Sequence, residues 1–233
     1  MIIKTDYRIP SALDGYTLLL RNKRLHQEER EGTRKTVLFV HGATYGSSDT
    51  FDYQMSGQSW MDHLASQHFD VWCLDLLGYG QSDRPAQMDQ PADANAPIVD
   101  TAHAIQEVDH AVSFIFDQRR IEKLDLIGYS WGTAICGGYA GKYSHNVDRL
   151  VLSGALWIEG MPPAGAPQES LGAYRTVDAE SMLRRWSTAL TKDQIDRIVS
   201  EDERRHWCKQ TVSCDPTSAQ TGLLRAPTGV MQD

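Results

Sequence analysis

The 233-residue chain is poor in cysteine and carries no recognisable ligand cluster for a metal. Its four cysteines form no CxxC pair, and no group of Cys and His has the spacing of a zinc site. Cys73 and Cys136 fall inside apolar segments, which favours reduced and buried thiols. No phosphate-binding GxGxxG follows the first strand pattern either. We therefore expect neither a metal nor an organic cofactor.

Basic residues and long apolar runs are also scarce, and both absences restrict the partners. The chain has 23 Lys and Arg against 31 Asp and Glu, a net charge of −8, whereas nucleic-acid binders normally present a basic face. No apolar run approaches the roughly 20 residues that cross a bilayer, and the N-terminus lacks the basic region and apolar core of a secretory signal. The sequence predicts a cytoplasmic protein with one substantial core and with neither a nucleic acid nor a membrane as partner.

Short apolar runs that alternate with helical patterns predict an α/β fold. The N-terminal segment turns at Asp14-Gly15, which is typical of a hairpin. From 101 to 119 the apolar residues form one helical stripe, with Asp100 as the expected N-cap. The predicted strands that alternate with helices are KTVLFVHGA, FDVWCLDLLGYG, KLDLIGYS and VDRLVLSGAL. This order predicts a mostly parallel sheet covered by helices on both faces.

The alternation stops after Leu156, where a proline-rich connector follows. Beyond it, Met182, Leu183 and Trp186 lie on one helical stripe, and the segment from Thr191 to Gln194 is typical of a capping box. We expect residues 1–156 to form the core and residues 157–233 an all-helical region. TGVM, near the end of that region, is a candidate start of the next core strand.

The segment Gly128-Tyr129-Ser130-Trp131-Gly132 fits the G-x-S-x-G pattern of a nucleophile elbow, because it follows an apolar strand and opens a helix. In such a turn the serine has a strained backbone, and side chains in place of Gly128 and Gly132 would clash with it. The hydroxyl then points above the sheet, at the positive end of the helix. Ser130 is therefore the candidate nucleophile. The alternative is a serine that merely occupies a glycine-rich turn.

Two loops support this interpretation. The first, His41-Gly42-Ala43, ends the VLFV strand, where a loop can supply half of an oxyanion hole. The donors would be the backbone N–H groups of Ala43 and Trp131, and His41 is expected to brace the loop rather than to act as a base. The second loop, DLLGYGQS, begins with Asp75, which is expected to brace it in the same way.

In this order and on these elements, the HGA loop, the DLLGYGQSDRP loop and the GYSWG elbow resemble the α/β-hydrolase superfamily. The resemblance covers the chain to about Leu156, and the helical region after it is similar to the family's cap domain. It implies a serine hydrolase that acts on a small, partly apolar substrate. Trp131, Tyr45, Trp157 and aromatic residues of the cap would then shape the substrate pocket.

The resemblance also implies a catalytic acid and a histidine, which follow the serine along the chain. The acid candidates are Glu159, after the strand RLVLSGALW, and Asp233, the last residue. The base candidate is His206 in the helical region, since His145 is expected at the far end of the sheet. None of these positions matches a core loop after the cap. The chain is therefore predicted to lack the last core strands and helix of the family.

Several functions stay open at this point. A serine hydrolase of ester- or amide-like bonds would form an acyl-enzyme at Ser130. Without a base, the same fold would be a catalytically incomplete fragment or a non-catalytic protein that binds a small ligand. Acyl transfer to an acceptor other than water would use the same elbow. An unfinished sheet edge would also allow oligomers.

Overall fold

A six-stranded sheet forms the centre of the molecule in a computed structural model that describes residues 1–26, 35–155, 171–186 and 188–232. Its strands are β1 (Ile2–Pro10), β2 (Thr17–Leu25), β3 (Thr36–Val40), β4 (Asp70–Leu74), β5 (Leu124–Tyr129) and β6 (Val147–Ser153). They lie in the order β1-β2-β4-β3-β5-β6. β2 pairs antiparallel with β1 and β4, and the other neighbours are parallel. The prediction of a mostly parallel α/β sheet with an N-terminal hairpin is confirmed.

Helices cover this sheet on both faces. They are α1 (Ser47–Phe51), α2 (Trp60–Ser66), α3 (Thr101–Arg119) and α4 (Trp131–Lys142). On β3, Leu38 and Val40 pack in the cluster that includes α3 and α4, whereas Val37 and Phe39 pack in the cluster that includes α1 and α2. Because neighbouring side chains of a strand point to opposite faces, all five residues of β3 are buried.

Two predicted helix starts are confirmed. The Asp100 side chain accepts a hydrogen bond from the backbone N–H of His103 at 2.8 Å and so caps α3. The Thr191 side chain accepts from the backbone N–H of Gln194, whose own side chain accepts from the N–H of Thr191, which is a complete capping box. None of the helices in the described ranges has both the length and the apolar character needed to cross a bilayer.

The C-terminal lobe, defined as residues 171–186 and 188–232, is not all-helical, so that expectation is wrong. Its elements are β7 (Tyr174–Asp178), α5 (Ala179–Trp186), α6 (Lys192–Asp196), α7 (Glu201–Ser213), α8 (Ser218–Thr221) and β8 (Leu223–Pro227). β7 and β8 form a separate antiparallel pair. Each has only five residues and finds its partner at the other end of the lobe, so local periodicity could not reveal it. TGVM does not begin a core strand, because Gly229–Met231 is a single 3-10 turn.

The described part of the sheet ends at β6, which pairs with β5 alone. Leu150, Val151 and Leu152 are exposed on this strand, although successive side chains point to opposite faces. Both faces of β6 are therefore open to solvent in the described part of the chain.

Candidate active site

Ser130 occupies the turn between β5 and α4 with a backbone that few residues adopt. Its φ is +53° and its ψ −120°, a strained combination for a side chain with a Cβ. Neighbouring groups hold the strain in place: the N–H of Ser130 donates to the carbonyl of Ser153 at 2.9 Å, and the hydroxyl of Thr133 donates to the carbonyl of Ser130 at 2.6 Å. The strained elbow predicted from G-x-S-x-G is present.

The two flanking glycines are required by close backbone contacts rather than by their own dihedral angles. A methyl group at Gly128 would collide with the carbonyl oxygen of Gly132. A methyl group at Gly132 would collide with the carbonyl oxygens of Val40 and His41. The elbow is therefore packed directly against the end of β3.

The loop after β3 reaches Ser130 because β3 and β5 are parallel neighbours whose carboxyl ends meet at one edge of the sheet. A methyl group on Gly42 would lie 3.0 Å from Cβ and 3.5 Å from Oγ of Ser130. Any residue larger than glycine at position 42 would thus press on the serine side chain. The sequence placed these two motifs together correctly.

His41 braces this loop, as expected, and does not face the serine. Its Nε2 accepts a hydrogen bond from the backbone N–H of Leu76 at 3.1 Å, and its Nδ1 lies 2.6 Å from the carbonyl oxygen of Gly42. Complete burial lowers the pKa of the imidazole, although the charge of Asp75 pulls the other way. The ring is neutral with the proton on Nδ1, and both nitrogens are occupied.

Asp75 braces the loop after β4 in the expected way. Its carboxylate accepts hydrogen bonds from the backbone N–H and the hydroxyl of Ser48, at 3.1 and 2.9 Å, and from the N–H of Gln81 at 2.9 Å. The carboxylate is buried, so these donors compensate for its lost hydration. Asp75 thereby ties the start of α1 to the loop after β4.

The backbone N–H groups proposed as oxyanion donors and the side chain of Trp131 have different surroundings. Within the described residues, neither the N–H of Ala43 nor that of Trp131 donates to a backbone carbonyl in a turn or loop. The Trp131 indole, by contrast, is buried and donates from Nε1 to the hydroxyl of Thr101 at 2.7 Å. The expectation that this indole shapes the pocket is wrong, because it packs between α4 and the start of α3.

A cavity of about 640 Å³ opens above Ser130. Loops after β3 and α1 form one side, and helices α5 and α7 of the C-terminal lobe form the other. Its walls are Gly42, Ala43, Thr44, Tyr45, Thr50, Tyr53, Met55, Gln58, Trp60, Tyr129, Ser130, Met182, Arg185, Trp186 and Trp207. The expectation of aromatic walls holds for Tyr45 and for two tryptophans of the lobe, while Trp157 lies outside the described residues.

Trp207 of the lobe packs against two other aromatic wall residues, Tyr45 of the loop after β3 and Trp186 of α5. The ring centroids of Tyr45 and Trp207 are 5.1 Å apart, and those of Trp186 and Trp207 are 5.5 Å apart, both edge to face. Burial raises the pKa of Tyr45. Met55, Trp60 and Arg185 were missed by the sequence analysis, since only tertiary packing turns them toward the cavity.

The family follows from a direct comparison with known sequences. Residues 35–211 match the model of the family described as alpha/beta hydrolase fold. The chain belongs to the α/β-hydrolase family. This confirms the resemblance drawn from the three sequence motifs.

Proteins similar to this α/β hydrolase differ in activity. It is 37% identical over 122 residues to the 2-hydroxymuconate semialdehyde hydrolase of Pseudomonas sp. (strain CF600), covering 52% of this chain and 37% of that protein. It is 28% identical over 161 residues to Lipase 3 of Moraxella sp. (strain TA144), covering 68% and 43%. It is 27% identical over 172 residues to the 1-acylglycerol-3-phosphate O-acyltransferase of Arabidopsis thaliana, covering 73% and 36%. The chain spans less than half the length of each relative.

A solved structure extends the likeness over most of the fold. The thioesterase domain from the curacin biosynthetic pathway superposes with a TM-score of 0.53 over 90% of this chain and 66% of that chain. The two sequences are 16% identical, so the likeness concerns the fold alone.

The described residues of this α/β hydrolase bring no acid or base to Ser130. All eight histidines lie in the described ranges, and none lines the cavity. His206 is exposed on α7, with its ring 6.2 Å from that of Tyr53, and His145 precedes β6 at the edge of the sheet opposite Ser130. No Asp or Glu is among the described wall residues. The acid candidates Glu159 and Asp233 lie outside the described residues.

No group of three or more His, Cys, Asp or Glu side chains in the described ranges is arranged to hold a metal ion. Cys73 and Cys136 are buried, as expected, and burial raises the pKa of both thiols. They are small apolar residues of the core in chemical terms.

Proposed function

We propose that this α/β hydrolase cleaves an ester- or amide-like bond through an acyl-enzyme at Ser130. The observation that carries the proposal is the strained position of Ser130 on the wall of the cavity, directly beside Gly42. A non-glycine residue is kept at such dihedral angles only where the surrounding structure enforces them. The elbow exposes Ser130 to the cavity, which is the arrangement a nucleophile needs.

In this mechanism Oγ of Ser130 attacks the carbonyl carbon of the substrate while its proton passes to a base. The carbonyl oxygen becomes an oxyanion, and the N–H groups of Ala43 and Trp131 are our candidates to stabilise it. The tetrahedral intermediate expels the leaving group with a proton, and water then hydrolyses the acyl-enzyme. Our assignment to the described residues covers the nucleophile and the oxyanion donors. It includes no base or acid, because His206 does not line the cavity and Glu159 lies outside the described residues.

The relatives support hydrolysis more than they define a substrate. Two of them are hydrolases by name, and one is an acyltransferase, which keeps acyl transfer to another acceptor as a variant of the same chemistry. We further propose that the C-terminal lobe acts as a cap over a small, partly apolar ligand. We propose a cytoplasmic location, with neither a nucleic acid nor a membrane as partner.

A second candidate function is binding without catalysis. It is favoured by the walls of the cavity, which contain no carboxylate and no imidazole among the described residues. A serine without a base is a poor nucleophile at neutral pH. Such a protein would hold a small ligand between the sheet and the C-terminal lobe but would not turn it over.

Labelling with a fluorophosphonate, read by intact mass, separates the two functions. Fluorophosphonates modify activated serines much faster than ordinary ones, so no knowledge of the substrate is needed. The hydrolase proposal predicts one adduct on the wild type and none on Ser130→Ala. As a matched control, Ser213→Ala at the exposed end of α7 should label like the wild type. No adduct on a sample with a cooperative unfolding transition would favour the binding protein.

A further inference from the structure

The cavity contains one feature that ester hydrolysis alone does not explain. Of its described wall residues, Arg185 on α5 is the only one that carries a charge at neutral pH. The rest of the wall is aromatic, aliphatic or neutral and polar. Arg185 is exposed overall, so its guanidinium is accessible at the cavity and can form charge-assisted hydrogen bonds with an anionic ligand.

The protein itself supplies no such partner in the described ranges. Three other arginines of the lobe are paired with carboxylates: Arg204 with Asp196 at 2.7 Å, Arg205 with Glu201 at 2.8 Å and Arg225 with Asp215 at 3.0 Å. No carboxylate is among the described wall residues around Arg185. Acidic residues outnumber basic ones in this chain, so the absence of a carboxylate from the described wall does not follow from a shortage of acids.

A second arginine strengthens the positive potential without competing for the ligand. Nη2 of Arg175 donates to the carbonyl of Ala43 at 2.9 Å and to the hydroxyl of Thr44 at 2.6 Å, so its guanidinium is committed to the loop beside Ser130. The charges of Arg185 and Arg175 both act to lower the pKa of Tyr45, against the effect of burial. Positive charge therefore acts on the cavity wall at Tyr45, and no carboxylate is among the described wall residues.

We propose that Arg185 binds a carboxylate of the ligand, so that this cavity takes a small organic acid with an apolar body. The planar guanidinium matches a carboxylate with two parallel hydrogen bonds, whereas no second cation of the described wall is available to share a phosphate dianion. Arg185 belongs to the C-terminal lobe and Ser130 to the sheet edge. The carboxylate is thus held at a different wall from the bond that reacts.

This inference rests on the proposed use of the cavity as the ligand site and names the class of ligand. It does not depend on turnover, because a ligand can be bound without being cleaved. The test therefore measures binding, and its failure can be told apart from a failure of the fluorophosphonate labelling.

The experiment titrates the chain with 4-phenylbutanoate and with its neutral counterpart 4-phenylbutanamide, followed by calorimetry and by tryptophan fluorescence, since Trp60, Trp186 and Trp207 line the cavity. We expect the carboxylate to bind about tenfold more tightly than the amide, the effect of one charge-assisted pair at a partly exposed site. Arg185→Gln should abolish this preference, and Arg185→Lys should restore part of it.

Arg184→Gln is the matched control, because it removes the same charge from the adjacent position of α5 but lies outside the cavity wall. It should keep the tenfold preference. Equal affinity of the acid and the amide for the wild type, no saturable binding of either, or an equal loss in Arg184→Gln and Arg185→Gln would overturn the proposal. Tighter binding of 2-phenylethyl phosphate than of the carboxylate would overturn the assignment to a carboxylate. Unfolding midpoints of all variants in urea verify that they are folded.

Discussion

The imidazole of His41 accepts a hydrogen bond from the backbone of Leu76, with 3.1 Å between Nε2 and the amide nitrogen. The histidine of the HGA loop, which packs against the elbow, is therefore a structural group. It joins the loop after β3 to the loop after β4. Because both loops meet at the carboxyl edge of the sheet, this contact holds them together at the edge where the cavity opens.

The first prediction concerns this contact. His41→Ala would leave a buried N–H of Leu76 without an acceptor, and we expect a loss of about 1–3 kcal/mol in the free energy of unfolding. His41→Gln retains an acceptor and should lose less. Urea denaturation at pH 8 measures both. Burial lowers the pKa of His41, so as the pH falls the unfolded chain binds a proton at His41 before the folded chain does. The contribution of His41 to the free energy of unfolding should therefore decrease below about pH 6.5.

The second prediction concerns Asp49 on α1. One of its oxygens accepts a hydrogen bond from the thiol of Cys214 at 3.1 Å, and the other has no partner among the described residues. Burial and the nearby charge of Asp75 raise the pKa of Asp49 to about 7. The folded chain therefore binds a proton that the unfolded chain releases, and stability decreases as the pH rises from about 4 to about 7.

Asp49→Asn removes this titration and keeps the shape of the side chain. We expect the variant to be more stable than the wild type at pH 8 by a few kcal/mol, with the difference disappearing near pH 4. Thermal or urea unfolding across this range is the measurement. Parallel pH profiles for the two proteins would show that Asp49 is not the titrating group.

The third prediction compares two glycines of α4. Gly132→Ala would push a methyl group into the carbonyl oxygens of Val40 and His41, and we expect a severe loss of stability or displacement of the elbow. Gly137→Ala meets no atom within 4 Å and should be neutral or stabilising by up to about 1 kcal/mol. The melting temperatures of both variants test this difference in stability. Equal melting temperatures would contradict the close packing of the elbow against β3.

The fourth prediction concerns the ion pair that holds β8 in place. Asp215 is fully buried and accepts from the backbone N–H and the Nε of Arg225, both at 3.0 Å, and Arg225 also donates to the carbonyl of Met88. Burial opposes ionisation, yet these hydrogen bonds hold the pKa of Asp215 below its usual value. Asp215→Ala leaves the buried guanidinium of Arg225 with the exposed carboxylate of Asp89, 3.6 Å away, as its remaining described ion-pair partner, so we expect a loss of about 3 kcal/mol in the free energy of unfolding at pH 7.

The exposed pair of Lys192 and Asp196 on α6, 2.6 Å apart, provides the control. Lys192→Ala should leave the free energy of unfolding almost unchanged, because solvent screens the charges. A similar loss in both variants would mean that burial does not distinguish the two pairs.

The fifth prediction concerns the open strand β6. Val151 is 47% exposed on β6, where the described part of the sheet ends and where the backbone of an edge strand can bind a strand of a second copy. We propose that the chain self-associates there and expect Val151→Lys to shift it toward the monomer in sedimentation velocity. Ile198→Lys, at a site 72% exposed in the C-terminal lobe, should leave self-association unchanged. A wild type that remains monomeric at all concentrations would refute this.

The sequence by itself determined the position of the elbow, because a tight turn between a strand and a helix imposes glycines at fixed spacing around Ser130. It also determined the bracing roles of His41 and Asp75, the caps at Asp100 and Thr191, and the hairpin. The elbow, the caps and the hairpin are encoded within a few residues, so local chemistry is sufficient to predict them. The bracing roles were predicted from motifs, since the contacts of His41 with Leu76 and of Asp75 with Ser48 join residues far apart along the chain.

Tertiary structure alone decided what surrounds the serine. The pairing of β7 with β8 joins the two ends of the C-terminal lobe, which no local pattern records. The same packing turns the Trp131 indole away from the cavity and brings Arg185 into its wall. The direction of these side chains depends on contacts with residues far along the chain. For that reason the sequence determined the fold class and the place of Ser130 in the elbow, while only the folded molecule decided the chemical character of the cavity.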